Sequence, residues 1–261
     1  MTHKPRTAAR ILESLSINEP EWIDLEAIAW LSGAKVKYRE LDGCDACIAG
    51  RADVGRAIIS IDNRSLPRRQ RFSLAHEIGH WEWHRGHQLL CSKDDIRGSG
   101  LKLKGLSREA AANRFAAELL MPSFMLKNAM RDFNRLDMTT VRNLASRFDV
   151  SLTAMAYRLV ESDVHPALLV AYGKDGRHWF VRSKSIGEIW FPKDRLDVES
   201  AAYDILFGSS QDDRFMSTVE GDTWFDVEWA DQLELGEQSF RTQENEVVSL
   251  LIARSHRMLA D

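Results

Sequence analysis

His76-Glu77-Ile78-Gly79-His80 lies within an unbroken helical pattern, and its residue types are those that hold a metal ion and work beside it. Positions i and i+4 of a helix share a face one turn apart, so His76 and His80 can aim their imidazoles at one ion. Glu77 then stands beside that ion, placed to take a proton from a water activated there. The competing reading of the pentad is an amphipathic helix that carries surface histidines.

A hydrolytic zinc site needs a third protein ligand. One layout extends the pentad to His-Glu-x-x-His-x-x-Gly-x-x-His. Here Trp83 stands where that pattern requires glycine and Gly86 where it requires histidine, so His84 and His87 read as surface residues. The other layout takes a carboxylate from a later helix. Residues 107–122 supply an alanine-rich one, opened by Ser107 as N-cap and limited by Pro122. Glu109 and Asn113 are four apart on one face. Glu109 can ligate the metal while Asn113 hydrogen-bonds the back of a ligand histidine. Glu118, beside Leu119 and Leu120, is the competing carboxylate.

The cysteines divide. Cys44-Asp45-Ala46-Cys47 lacks a second pair and reads as two small buried thiols rather than a metal or redox motif. Cys91 lies in the connection between the two ligand helices. A thiolate there could fill the fourth zinc position, displace the catalytic water and hold the enzyme latent. A buried apolar cysteine following Leu89 and Leu90 is the alternative.

The run Arg69-Gln70-Arg71-Phe72-Ser73-Leu74-Ala75-His76-Glu77-Ile78-Gly79-His80, followed by Ala112-Asn113-Arg114-Phe115-Ala116-Ala117-Glu118-Leu119-Leu120-Met121-Pro122, resembles the ImmA/IrrE family of bacterial metallopeptidases. The resemblance covers roughly residues 50–126. It implies a thermolysin-like zincin domain with one zinc per chain, held by His76, His80 and Glu109, with Glu77 as general base. It also implies a substrate, a helix-turn-helix repressor whose cleavage releases stress-response, DNA-damage or phage-defence genes. Many relatives carry a second acidic residue two positions before the asparagine; Ala111 stands there in this chain.

The bulk composition is that of a globular chain. At 261 residues and 44% hydrophobic content it can bury a real core. A net charge of −4 gives no global basic field for nucleic acid. The basic N-terminal residues precede no apolar h-region, and no run reaches membrane-span length. Three cysteines, an odd count, fit a reducing compartment, so the expected location is cytoplasmic.

The expected fold that carries these motifs is α+β in three parts. Residues 1–131 form the metallopeptidase domain, with helices over 11–15 and 25–32 and short strands over 35–41, 46–49 and 56–62. Alternating Ala57, Ile59 and Ile61 mark an edge strand able to pair with an extended substrate. Residues 132–163 have a helix-turn-helix cadence, yet the second helix is apolar except for Thr153, Tyr157 and Arg158. That favours a structural helix pair over a reader of base edges. Residues 164–261 read as an α+β regulatory module, described as GAF-like in relatives, with hairpins over 167–182 and 215–229 and a last strand over 246–253. Trp179 with Arg177 and Arg182 offers an aromatic and cationic contact for a single-stranded DNA effector. A tryptophan-rich sheet core is the competing account.

The expectation is thus a zinc endopeptidase regulated by its C-terminal module. Two other classes compete: a DNA-binding transcriptional regulator with a vestigial metal site, and a metal-dependent interaction protein without peptidase activity. Cleavage abolished by Glu77→Gln separates the enzyme from both.

Overall fold

The computed structural model describes residues 4–85 and 108–260. Among them the chain is mixed α and β, with eight α-helices and two sheets, and it divides into two compact units. The first comprises residues 1–126 with 147–150, the second 127–146 with 151–261. Most of the helical pair around residue 149 therefore falls in the second unit.

In the first unit, α1 (Ala8–Ser14) starts at Thr7, whose side chain accepts from the Arg10 amide. Helix α2 (Leu25–Leu31) starts at Asp24, which accepts from the Ala27 amide. Both caps satisfy donors that a helix end leaves open. Strands β1 (Ala34–Arg39), β2 (Ala46–Arg51) and β3 (Arg56–Asp62) form a sheet in the order β1-β3-β2. β3 runs parallel to β1 and antiparallel to β2. It is the central strand, not the edge strand expected from its alternation. Ala57, Ile59 and Ile61 are buried and Ile58 is exposed, so the alternation holds over the first half of the strand, while Ser60 and Asp62 are buried as well. A period of two reports which face is covered and says nothing about how many neighbours a strand has.

Helix α3 (Pro67–Trp83) packs on β2 and β3, and α4 (Arg108–Leu120) lies along α3, followed by α5 (Ser123–Met130). Proline at the first turn of α3 costs nothing, because that amide has no helical partner.

Helices α6 (Met138–Arg147) and α7 (Leu152–Glu161), which apart from Arg147 belong to the second unit, are joined by a turn in which Asp149 has a φ of 51°, and Ser151 caps α7 by accepting from the Ala154 amide. Five antiparallel strands follow: β4 (Ala167–Gly173), β5 (Gly176–Arg182), β6 (Ser217–Glu220), β7 (Glu234–Gln243) and β8 (Glu246–Ala253). Their order is β5-β4-β8-β7-β6. Leu168, Val170 and Tyr172 join Trp190, Trp224, Phe225 and α8 (Ala201–Phe207) in one core on one face. Helix α7 covers the other face: the Tyr157 ring packs at a tilt against Trp179, the cross-strand neighbour of Ala171. Arg158 is buried and paired with Glu161 at 2.8 Å, so of Thr153, Tyr157 and Arg158 two serve the interior.

The second hairpin differs from the expectation. β6 pairs with β7, and residues 221–223 form a 3-10 turn that sends adjacent Trp224 and Phe225 into the core. Two consecutive buried aromatics cannot belong to a strand with one covered face.

Candidate metal centre

Ten consecutive residues of α3, Ser73 to Glu82, are buried, so the pentad sits on a stretch of helix with no solvated face. Gly79 sets how close α4 can come. A Cβ there would stand 3.0 Å from Cδ1 and 3.1 Å from Cβ of Phe115. Ala112 and Ala116 keep the facing side of α4 shallow and are themselves buried. This close crossing carries Glu109, at the first turn of α4, over the two histidines.

The three side chains converge. His76 Nε2 and His80 Nε2 are 2.9 Å apart, and Glu109 Oε2 lies 3.2 Å from the former and 3.3 Å from the latter. One ligand atom from each falls within 4.8 Å of the others. Lone pairs so gathered repel unless a proton or a cation lies among them. Two imidazoles and one carboxylate form the donor set of a hydrolytic zinc site with one position left for water or substrate, so the residues fit that ion.

The backs of both imidazoles are held. Asn113 Oδ1 lies 2.8 Å from His76 Nδ1, and an N–H donated there leaves the Nε2 lone pair facing the centre. His84, at the C-cap of α3, brings its Nδ1 to 3.1 Å from His80 Nδ1. The expectation of a surface residue missed this role. The signal was present, since His84 stands four residues after His80 and the same i+4 rule reaches it.

Electrostatics follow from burial and contact. Burial works to raise the Glu109 carboxyl, but hydrogen bonds and charge from His76 and His80 outweigh it and hold Glu109 well below the ordinary carboxylate range. Burial lowers His80, against the hydrogen bond to Glu109, which favours the neutral imidazole a metal requires.

Glu77 is fully buried on the next position of the helix and is not one of the converging ligands. Burial raises the thiol of Cys44, just before β2, helped by Cys47 and then by the charge of Glu77. Cys44 and Cys47 are half-buried free thiols. Glu118 stays apart from the converging group; its Oε1 accepts from the Ser123 amide at the start of α5. Cys91 and His87 lie outside the described residues.

Trp179, Arg177 and Arg182 do not form a common open face. Arg177 binds Asp194 at 2.7 Å and the Pro192 carbonyl, and stacks over Phe191 at 4.3 Å. Arg182 donates to the Glu188 carbonyl at 3.1 Å, and Trp179 packs against Tyr157 with ring centroids 6.1 Å apart and the planes tilted at 59°.

Comparison with known proteins finds a match to the family model of the IrrE N-terminal-like domain, a Peptidase M78 domain, over residues 35–160. The radiation response metalloprotease IrrE of Deinococcus deserti is 33% identical over 125 residues, 46% of this chain and 41% of that protein. Its namesake from Deinococcus radiodurans is 29% identical over 168 residues, 61% of this chain and 47% of that protein. The chain thus spans less than half the length of either relative. A solved structure described as a Mycobacterium tuberculosis transcriptional regulator aligns with a TM-score of 0.62 at 14% identity, over 95% of this chain and 75% of that one. That likeness is one of fold alone.

Proposed function

Because the chain belongs through residues 35–160 to the ImmA/IrrE family of metallopeptidases, we propose that it is a zinc-dependent endopeptidase whose site is His76, His80, Glu109 and Glu77. The convergence of two imidazoles and a carboxylate at about 3 Å, each imidazole backed by a further side chain, carries this reading. A zinc ion so held supplies Lewis acidity to water and to a scissile carbonyl. The buried Glu77 accepts the proton of the attacking water at its carboxylate and delivers it to the leaving amine. Asn113 and His84 keep both ligand rings in one tautomer. On this reading the first unit is a thermolysin-like catalytic fold and the second a GAF-like regulator.

β3 has a partner on each side, so an extended substrate must add elsewhere. We assign that role to β2, which pairs only with β3 among the described residues and packs on α3, the helix that carries Glu77. The inferred substrate is a cytoplasmic helix-turn-helix repressor of stress, DNA-damage or phage-defence genes; the radiation-response designation of both Deinococcus relatives supports a stress role. A single-stranded DNA effector on Trp179, Arg177 and Arg182 would first have to break the Arg177–Asp194 pair, which weighs against it.

Co-expression with candidate helix-turn-helix repressors of the same genome, followed by mass spectrometry of fragments, tests the reading. Cleavage by the parent and none by Glu77→Gln is expected. Equal fragmentation in both, or none in either with a zinc-loaded parent, would overturn it.

A further inference from the structure

On the first unit, away from the metal ligands, the end of α2 and the starts of β1 and β3 enclose a pocket of about 440 Å³. Trp30 and Leu31 line it although they are 65% and 60% exposed, a poor place for large apolar side chains unless something covers them. Lys35 and Arg56 line the same pocket. Their placement follows from the register. Lys35 pairs with Ile58, and Arg56 and Ile58 share a parity, so both cations stand on the sheet face opposite buried Ala57, Ile59 and Ile61. Lys37 continues the row on that face, roughly 6.7 Å along the strand from Lys35.

The floor is rigid. Gly33 has a φ of 86°, and a Cβ on it would collide with the carbonyl oxygen of Gly55, so only glycine lets the two loops meet there. No described carboxylate forms an ion pair with Lys35, Lys37 or Arg56, whereas nearby Arg51 is held by Asp53 at 2.6 Å. A chain of net charge −4 therefore gathers an open indole and unpaired cations around one concavity.

From this arrangement we propose that the α2–β1–β3 pocket binds a nucleotide, its base stacked on Trp30 and its phosphates on Lys35 and Arg56. An aromatic face beside a cationic groove is the chemistry that takes up bases and phosphates together. The volume lies within the range of small-ligand sites, roughly 300–1,000 Å³. An anionic membrane would also meet cations and a tryptophan. Its anchors, however, protrude into the headgroups, whereas these residues surround a hollow. The ligand chemistry is shared by free nucleotides and by the end of a nucleic-acid strand.

The test is calorimetric titration of the full chain with ATP, GTP, a 5′-phosphorylated oligothymidine, inorganic phosphate and phosphatidylglycerol vesicles. Trp30→Ala and the double variant Lys35→Glu/Arg56→Glu are run alongside, with thermal melts as folding controls. Saturable binding of a nucleotide is expected, weakened at least about tenfold by Trp30→Ala, the scale of one lost stack. The charge reversal should abolish it, and added salt should weaken it. Binding of the oligonucleotide with neither mononucleotide, lost in the same variants, would support the site and assign the strand as its source. Four results overturn the proposal: no saturable binding of any nucleotide, binding unchanged in both variants, binding of phosphate with Trp30→Ala neutral, or capture of vesicles alone. Because these substitutions are remote from Glu77, repressor cleavage can fail while nucleotide binding stands, and the reverse.

Discussion

The Nδ1 atoms of His80 and His84 lie 3.1 Å apart at the end of α3, so one of them must carry the proton. If His80 donates, its Nε2 lone pair is free for a metal, and burial already favours the neutral ring. His84 then does for His80 what Asn113 does for His76. Removing such a partner costs about 10- to 100-fold in metal affinity. His84→Ala should therefore weaken zinc in a chelator competition by that order while stoichiometry at saturating zinc stays at one. Unchanged affinity would reduce His84 to a helix cap.

The ligand and the proton acceptor separate by mutation. Glu109→Ala removes one of three donors and should lose zinc during dialysis. Glu77→Gln keeps all three donors and should retain zinc while cleavage falls below detection. Metal analysis and fragment counting on the same preparations check both. If Glu109→Ala holds stoichiometric zinc with full turnover, the third ligand is another residue.

Much of the centre was legible in the sequence because helices translate spacing into direction. The i, i+4 rule relates His76 to His80 and Glu109 to Asn113, and all four meet within hydrogen-bonding distance or a short chain of it. What could not be read was sheet neighbourhood. β3 alternates as an edge strand would, yet its pairing with both β1 and β2 is a tertiary fact. β7 was missed for a different reason. Its buried run includes Gly236, Glu237, Gln238 and Ser239, which no hydrophobic pattern flags. The interior accepts Glu237 because Trp224 Nε1, the Ala202 amide and Ser239 Oγ all donate to it, partners 13, 35 and 2 residues away in sequence.

Gly79 gives a test of how α4 is set against α3. Alanine there would gain about 1 kcal/mol of helix propensity. Against this, its Cβ would press within 3.0–3.2 Å of Phe115, whose Cβ is fixed to the backbone of α4. Overpacking of this kind costs about 1–3 kcal/mol. Gly79→Ala should therefore lower stability in urea unfolding, and Phe115→Leu should recover part of the loss in the double variant. Zinc affinity should fall with it, since Glu109 rides on the displaced helix. A stabilised Gly79→Ala would mean that the helices can part freely.

His178 on β5 gives the second unit a pH dependence whose sign is fixed by its partners. Its Nε2 lies 3.0 Å from Asp175 and its Nδ1 3.1 Å from Glu246 on β8. Asp175, against the opposing effect of burial and with help from Glu246, raises the imidazole above its ordinary value. A raised histidine contributes stability that is fully present below its unfolded-state value, about 6.5, and lost as pH rises through the folded one. The pair is open to solvent, Asp175 being 84% exposed, so the effect is small and shrinks with salt. Between about pH 6 and 8 the parent should lose slightly more stability than His178→Gln, and an NMR titration should find the ring midpoint raised. Parallel melting curves for the two proteins across that window, with an unshifted ring, would assign the contacts no energetic role.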